Sequence, residues 1–217
     1  AGEVGQLITS DTRIAGVSFT GSTQTAHAIN RSLAAREGSI ATLIAETGGQ
    51  NAMIVDSTAL PEQVTRDVIA SAFQSAGQRC SAQRVLYIQE DVYDEMVTMI
   101  RGAFQALVVG DPTEFATDVG PVIDNDAQAA LERHVARSAT IGRTIWRADD
   151  DPAFARGSFV LPTIIEIEGI GHLQRENFGP VLHIAKFKNK DLEKVVDDIN
   201  ALGYGLTCGL HSRVEAT

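Results

Sequence analysis

The sequence predicts an α/β fold, because short apolar runs of strand length alternate with segments whose apolar residues have helical spacing. Arg13–Thr20, Ile40–Ala45 and Asn51–Val55 have the length and the β-branched content of strands. A helix with Ala26 and Leu33 on one face is predicted between the first two, over about residues 24–36. Strand, helix and strand in this order form a βαβ unit, the building block of parallel, doubly wound sheets.

The remaining elements follow from the same periodicities. The first strand is expected to be buried, since it combines β-branched and aromatic residues. Residues 56–58 offer capping side chains for a helix, and Pro61 suits its first turn. We expect this helix to cover residues 62–75 and to stop at Gly77. Residues 110–122 are expected to form a loop, and residues 147–151 a charged, solvated turn. Further helices are predicted over 91–107, 125–140 and 191–201, and strands over 85–88, 159–167, 180–187 and 206–212.

The composition is that of a globular protein with an acidic surface. Of 217 residues, 44% are hydrophobic and 21% are charged, with a formal net charge of −10 at pH 7. An acidic chain is repelled by phosphate backbones, so nucleic acid is not an expected partner. Neither a transmembrane segment nor a targeting signal is found, which favours the cytoplasm. Cys80 and Cys208 are then expected to be free thiols.

The segment Gly77–Cys80 places a thiol directly after a predicted helix. A reactive thiolate requires a partly open, electropositive site, and Arg79 supplies a positive charge beside it in sequence. A buried structural thiol is the alternative, and composition alone favours it. Arg79 is expected to pair with a carboxylate, with tuning of the thiolate as the other interpretation.

Three further segments carry polar groups where α/β proteins bind ligands. Glu46–Gly49 follows a strand, and a carboxylate there can act as a base. Thr20–Thr23 joins a strand to a helix N-terminus, a geometry that binds phosphate. Glu176 and Phe178, two positions apart on an extended chain, point to the same side, which suits a ribose hydroxyl and a neighbouring ring. Each segment also has a structural alternative: a solvated strand end for Glu46–Gly49, a helix N-cap for Thr20–Thr23, and a strand edge for residues 176–180.

Taken together, the segments resemble the aldehyde dehydrogenase superfamily. That family shows Phe-Thr-Gly-Ser, Glu-x-Gly-Gly, Gly-Gln-x-Cys and Glu-x-Phe-Gly-Pro in this order, and the chain has them at 19–22, 46–49, 77–80 and 176–180. Glu46 and Cys80 lie 34 positions apart, as in the family pattern, and Asn-x-x-x-Tyr-Gly-Leu follows at 200–206. The resemblance extends over essentially the whole chain.

Within the superfamily, Phe73–Ala82 and Gly203–Arg213 are most similar to 1-pyrroline-5-carboxylate dehydrogenase, and more narrowly to the aldehyde dehydrogenase part of bifunctional proline utilization A. This resemblance implies oxidation of L-glutamate γ-semialdehyde to L-glutamate in proline breakdown, with NAD as hydride acceptor. It also implies a small-molecule aldehyde as substrate and a homo-oligomeric parent protein. NADP is not excluded, since the residues that select between the two cofactors lie upstream in the family.

The resemblance also assigns roles to individual residues. Cys80 is implied to attack the aldehyde, Glu46 to activate the water that hydrolyses the resulting thioester, and Ser81 to contact the substrate. No metal is implied. The implied cofactor contacts are Thr20, Gly21, Ser22, Thr47, Gly48, Glu176 and Phe178.

Several parts of the family pattern do not occur in the sequence, including the Asn of the oxyanion hole, the Lys that binds the adenosine ribose and the glycine-rich loop that anchors the substrate. We therefore expect an internal fragment with a partial aldehyde dehydrogenase-like fold. Residues 1–46 are expected to be the C-terminal part of a Rossmann-type NAD-binding domain. Residues 47–217 are expected to be most of the α/β catalytic domain, incomplete at its C-terminal end. Such a fragment is expected to be inactive alone.

Three alternatives stay open. The first is an aldehyde dehydrogenase of another substrate class. The second is a cysteine-dependent acyl transferase or hydrolase, for which a Cys–His pair is expected. None of the five histidines lies in a recognisable partner motif for Cys80. The third is a truncated domain that folds but does not turn over substrate.

Overall fold

The structure is a computed structural model that describes residues 2–215. The chain divides into two compact units, Ala1–Gly48 and Gly49–Thr217. Strands and helices alternate in both of them, which confirms the predicted α/β class. The predicted domain boundary after residue 46 stays a prediction. No helix among the described residues is long and apolar enough to span a membrane.

The first unit is a βαβ element preceded by a helix. Its elements are α1 (Gly2–Ser10), β1 (Gly16–Thr20), α2 (Thr23–Ala34) and β2 (Thr42–Glu46). The two strands are parallel, and Thr20 lies opposite Glu46 in their register. Ala26 and Leu33 are buried on α2, as their spacing predicts. The predicted strand–helix–strand order is therefore confirmed.

Two features of the first unit differ from the sequence analysis. No element was predicted for residues 2–10, which form α1. A tertiary contact accompanies it: the buried Thr9 donates to the Oγ of Ser32 on α2 at 2.9 Å. Strand β1 was expected to be buried, yet its positions alternate between exposed and half-buried. Among the described residues it has a single neighbouring strand, so part of its surface stays open to solvent.

The second unit is built around a six-stranded sheet with the strand order β5-β6-β7-β4-β3-β8. Its strands are β3 (Asn51–Val55), β4 (Gln83–Gln89), β5 (Arg143–Arg147), β6 (Thr163–Glu166), β7 (Val181–Phe187) and β8 (Cys208–His211). All neighbouring pairs are parallel except β5 and β6, which are antiparallel. Its helices are α3 (Pro61–Phe73), α4 (Tyr93–Gln105), α5 (Asn125–Ile141) and α6 (Leu192–Ala201).

The core of the second unit lies on the central strands and on α3 and α4. Every residue of β4 is buried, which is typical of a strand covered on both faces in a parallel sheet. Phe73 of α3 packs edge-on against Phe104 of α4, with ring centroids 5.2 Å apart. Met96 and Ile100, on the predicted inner face of α4, are also buried. The sheet is therefore a rigid platform for the loops that precede and follow β4.

Three details of the second unit differ from expectation. Strand β5 was not predicted, because its antiparallel register with β6 is a non-local pairing that local periodicity does not show. The solvated turn expected over 147–151 overlaps the last residue of this strand, Arg147. The expected caps of α3 are also wrong, since its N-cap is Leu60 without a side-chain hydrogen bond. Asp56 instead accepts from the backbone N–H of Thr58 at 2.7 Å.

A pair of buried histidines connects α5 to β7. The Nε2 atoms of His134 and His183 lie 2.9 Å apart, and His183 Nδ1 lies 3.0 Å from the carbonyl oxygen of Arg84. A carbonyl only accepts, so His183 donates through Nδ1, and a neutral His183 accepts from His134 through Nε2. Burial lowers the pKa of both histidines, which keeps them neutral at physiological pH.

We expect the second unit to lose stability as the pH falls below about 6.5, the ordinary histidine pKa. In the unfolded chain both rings bind protons there, whereas in the folded chain their lowered pKa values prevent it, so acid favours unfolding. The neutral pair's contribution is complete above pH 6.5 and is lost progressively at lower pH. Denaturant unfolding should give a free energy lower by on the order of 2 kcal/mol at pH 5 than at pH 7.

The variant His134→Gln should show a clearly smaller pH dependence of the unfolding free energy than the wild type. Thr140→Ala is the matched control, since Thr140 is an exposed, non-titrating residue of the same helix. An unchanged slope in His134→Gln would show that other groups cause the acid sensitivity.

Candidate active site

The segment before Cys80 has an unusual backbone conformation. Helix α3 ends at Phe73, and Ser75, Ala76 and Gly77 follow with φ values of 57°, 52° and 64°. The predicted helix was therefore too long by two residues. Non-glycine residues in the left-handed region cost about 1–3 kcal/mol each and cluster at functional sites. At Gly77 a side chain would collide with the carbonyl group of Gly179, so the segments containing Cys80 and Glu176 approach backbone to backbone.

Cys80 is a free, exposed thiol between this turn and β4. The buried Asn51 holds the backbone around it: its Nδ2 donates to the carbonyl oxygens of Cys80 at 2.7 Å and Ala82 at 2.9 Å. Its Oδ1 accepts from the N–H of Thr207 at 3.2 Å. In this chain the Cys80 thiol is therefore exposed, whereas the structural alternative was a buried thiol. Ser81 is exposed beside Cys80.

Arg79 does not pair with a carboxylate among the described residues, which corrects the expectation. Its guanidinium donates to the carbonyl oxygens of Ala70 at 2.8 Å and Ser71 at 3.3 Å, and to Gln74 Oε1 at 3.3 Å. These acceptors lie on the last turn of α3 and just beyond it, where carbonyl groups lack helical partners. Arg79 therefore anchors the turn to the end of its own helix.

Arg84, which the sequence analysis did not single out, lies at the centre of the site. It is only 2% exposed, and its Nη1 donates to the carbonyl oxygens of Gly77 at 2.8 Å and Gly179 at 3.2 Å. Its Nη2 donates to the carbonyl oxygen of Arg79 at 3.1 Å. One side chain thus bonds to both segments of the site. Arg84 directly precedes the predicted strand 85–88 and lies inside the observed β4, and no pattern in the sequence singled it out.

Glu176 and Phe178 lie on the other side of Arg84. Glu176 Oε1 is 3.6 Å from Arg84 Nη2, an ion pair longer than a hydrogen bond. Burial raises the pKa of Glu176, although Arg84 and the backbone N–H of Gly49 oppose that effect. The Phe178 ring is 42% exposed, and the Arg84 guanidinium carbon lies 5.3 Å from its centroid. The segment therefore presents a partly exposed carboxylate and an aromatic ring together, as its two-residue spacing predicts.

The first unit carries the other predicted site residues. Glu46 is exposed at the end of β2, and its carbonyl oxygen accepts from the N–H of Gly21 at 3.0 Å. Ser22 caps α2, since its Oγ accepts from the N–H of Thr25 at 3.2 Å. The first N–H groups of such a helix have no partners within it and favour an anion. Thr47 and Gly48 follow β2 and are half-buried.

Each unit therefore brings together one part of the predicted site. In the first unit, strand register and the Gly21 hydrogen bond bring residues 20–22 next to Glu46. In the second unit, Arg84 and the Gly77 contact bring the Cys80 segment next to Glu176 and Phe178. None of the described histidines hydrogen-bonds to Cys80, which disfavours a Cys–His acyl transferase.

Each unit, taken by itself, carries groups that fit one part of a dinucleotide cofactor. The capped N-terminus of α2 offers backbone N–H donors of the kind that bind a pyrophosphate. The Oε1 of Glu176 is buried without a hydrogen-bond partner, and the carboxylate is 19% exposed, so Oε2 is the oxygen able to reach a ribose hydroxyl. The exposed face of Phe178 suits an aromatic ring.

Comparison with known proteins places this fold and these segments in one family. The aldehyde dehydrogenase family profile matches residues 1–217, and the chain belongs to that family. The chain is 50% identical over 222 residues to the bifunctional protein PutA of Klebsiella aerogenes, covering 99% of this chain and 17% of that protein. It is 35% identical over 219 residues to 1-pyrroline-5-carboxylate dehydrogenase of Geobacillus kaustophilus, covering 99% of the chain and 42% of that protein.

A solved structure of the same kind has the same fold. A mutant of Bradyrhizobium japonicum proline utilization A superposes with a TM-score of 0.96 at 50% identity, covering 100% of this chain and 22% of that one. The predicted resemblance and the partial aldehyde dehydrogenase fold are thereby confirmed. The chain spans about a fifth of the length of the PutA proteins that it matches.

Proposed function

We propose that this chain is the catalytic segment of an NAD-dependent aldehyde dehydrogenase that oxidises L-glutamate γ-semialdehyde to L-glutamate. The observation that carries the proposal is the exposed, free Cys80 directly after a strained turn. Arg84 donates hydrogen bonds both to this turn and to the segment that contains Glu176 and Phe178. The names of the two relatives, PutA and 1-pyrroline-5-carboxylate dehydrogenase, support the substrate.

The reaction begins with Cys80. Its sulfur attacks the aldehyde carbon and forms a C–S bond, which gives a thiohemiacetal. The backbone N–H of Cys80 is the proposed donor to the oxygen on which negative charge develops. The hydrogen bonds from Asn51 to the carbonyls of Cys80 and Ala82 hold this backbone in place, and Ser81 is the proposed substrate contact.

The second half of the reaction is hydrolysis. A bound NAD would supply the hydride acceptor that turns the thiohemiacetal of Cys80 into a thioester. Glu46 is proposed to take a proton from water as the water attacks this thioester. The thiolate of Cys80 then leaves, and the carboxylic acid product is released. Two groups are required because sulfur is a good nucleophile and leaving group but does not activate water.

The proposed cofactor contacts divide between the two units. In the first unit, Thr20, Gly21 and Ser22 would hold the pyrophosphate, and the backbone of Thr47 and Gly48 would contact the nicotinamide. In the second unit, the Oε2 of Glu176 would hold the nicotinamide ribose, and Phe178 would contact the ring. We propose NAD as the cofactor in preference to NADP, and a cytoplasmic homo-oligomer as the working form of the full-length protein.

The test is an assay of a full-length protein that carries these 217 residues. With L-glutamate γ-semialdehyde and NAD it should form NADH, with a higher kcat/KM than with acetaldehyde or succinate semialdehyde and a higher one with NAD than with NADP. A clear preference for another aldehyde would overturn the substrate but keep the reaction. Absence of NADH with every aldehyde would overturn the reaction itself.

The isolated 217-residue chain should be essentially inactive in the same assay. It spans a minor part of its relatives, and it lacks the side chain that completes the oxyanion hole in the resembled family. Loss of one such donor alone costs about 10²–10³-fold in rate. A thiol titration of the folded chain provides the control, since Cys80 should still react. Turnover near that of a full-length aldehyde dehydrogenase would contradict the expectation.

A further inference from the structure

Arg84 is a buried charged residue that the proposed mechanism does not use. Its three backbone acceptors belong to two different segments: the carbonyls of Gly77 and Arg79 precede Cys80, and that of Gly179 follows Phe178. The planar guanidinium presents several donors in a fixed fork, so it can hold these carbonyls at once. The position of Cys80 relative to the Glu176 segment therefore depends on one side chain.

The charge of Arg84 has a second partner. Glu176 Oε1 lies 3.6 Å from Nη2, and this oxygen is buried without a hydrogen-bond partner among the described residues. A carboxylate oxygen in such a place needs a nearby positive charge to remain ionised. Arg84 provides it. Burial nevertheless lowers the pKa of Arg84 to about 10, so it stays charged at neutral pH.

We propose that Arg84 is a positioning residue that fixes the Cys80 loop, residues 74–82, relative to the Glu176 carboxylate. It does so through two separable properties. Its fork of donors fixes the backbone before Cys80, and its charge orients Glu176 toward the cofactor ribose. The proposal deepens the function proposed above and rests on it. It assigns Arg84 no contact with substrate or cofactor.

The two properties can be separated by substitution. Lysine keeps the positive charge opposite Glu176 but is a single point charge that cannot hold three carbonyls in the fork geometry. Methionine removes both the charge and the donors while keeping an unbranched side chain. Arg84→Lys should therefore damage the placement of Cys80 and spare the cofactor contact, whereas Arg84→Met should damage both.

The experiment uses the full-length protein and three variants, Arg84→Lys, Arg84→Met and the control Arg147→Met. The control breaks the solvent-accessible ion pair between Arg147 on β5 and Glu132 on α5. The dissociation constant for NAD, kcat and the rate of Cys80 alkylation by iodoacetamide are measured for each. Arg84→Lys should keep the NAD dissociation constant of the wild type, while kcat falls by about 10²-fold, the loss that a misplacement near 1 Å causes.

Arg84→Met should lose kcat to a similar extent and also bind NAD about 10-fold more weakly, because Glu176 is left without its charge partner. Arg147→Met should match the wild type in all three measurements. If Arg84→Met does not fold, the measurements on Arg84→Lys alone test the inference. The inference is overturned if Arg84→Lys matches the wild type. It is also overturned if kcat and NAD affinity fall only by the factor by which the fraction of folded protein falls.

Failure of the inference differs from failure of the proposed function. If the wild type produces no NADH, the function is wrong. The rates of Cys80 alkylation still test Arg84 in that case, since altered placement of the loop should change them in Arg84→Lys and not in Arg147→Met. If the wild type is active and Arg84→Lys is indistinguishable from it in kcat and alkylation, only the inference is wrong.

Discussion

Replacement of Cys80 by alanine is expected to abolish aldehyde oxidation in a full-length protein that carries this chain. No other group can form the thioester, so the loss should be on the order of 10⁴-fold or more, as for the nucleophiles of other covalent enzymes. NAD binding should persist, because Glu176 and Phe178 are unchanged. Steady-state NADH formation and a separate binding measurement check the two statements.

The matched control is Cys208→Ala, which removes the other thiol. Cys208 is also free and exposed, but it begins β8, away in sequence from the strained turn that precedes Cys80. We expect most of the activity to remain. If Cys208→Ala abolished turnover while Cys80→Ala did not, the assignment of the nucleophile would be reversed.

The second large effect is expected from Glu46→Gln. If Glu46 is the base for thioester hydrolysis, steady-state turnover should fall by about 10²–10⁴-fold, the usual contribution of general base catalysis. Hydride transfer precedes that step, so a rapid burst of NADH should survive the substitution. Stopped-flow absorbance separates the burst from the steady state.

Glu37→Gln is the control for this substitution, since Glu37 is another exposed carboxylate of the same unit. It should leave both phases unchanged. Loss of the burst in Glu46→Gln with unimpaired hydrolysis of the thioester would place the base elsewhere in the protein.

Most of the order of strands and helices could be predicted from the sequence, because it follows from the local spacing of apolar residues. Asn51–Val55 is a run of apolar residues of strand length, and it forms β3 with those bounds. Helix α3 ends at Phe73, so Gly77 does not end that helix, although its φ is positive. The predicted shared side of Glu176 and Phe178 stays a prediction, and both side chains lie near Arg84.

The rest depends on contacts between distant parts of the chain. Strand β5 is defined by its antiparallel register with β6, and α1 contacts α2 through a hydrogen bond between Thr9 and Ser32. Asn51 was assigned only to a strand and Arg84 to no element, yet both hold the backbone around Cys80. Their partners are mainly carbonyl groups, which every residue has, so no pattern of side chains could indicate them.

The most direct test of the central claim is identification of the acylated residue. Full-length Glu46→Gln protein is mixed with L-glutamate γ-semialdehyde and NAD, quenched in acid within the burst, digested and analysed by peptide mass spectrometry. We expect the glutamyl thioester on the peptide that contains Cys80, and none when NAD is omitted. An acyl group on the Cys208 peptide, or NADH formation without any acylated cysteine, would contradict the account.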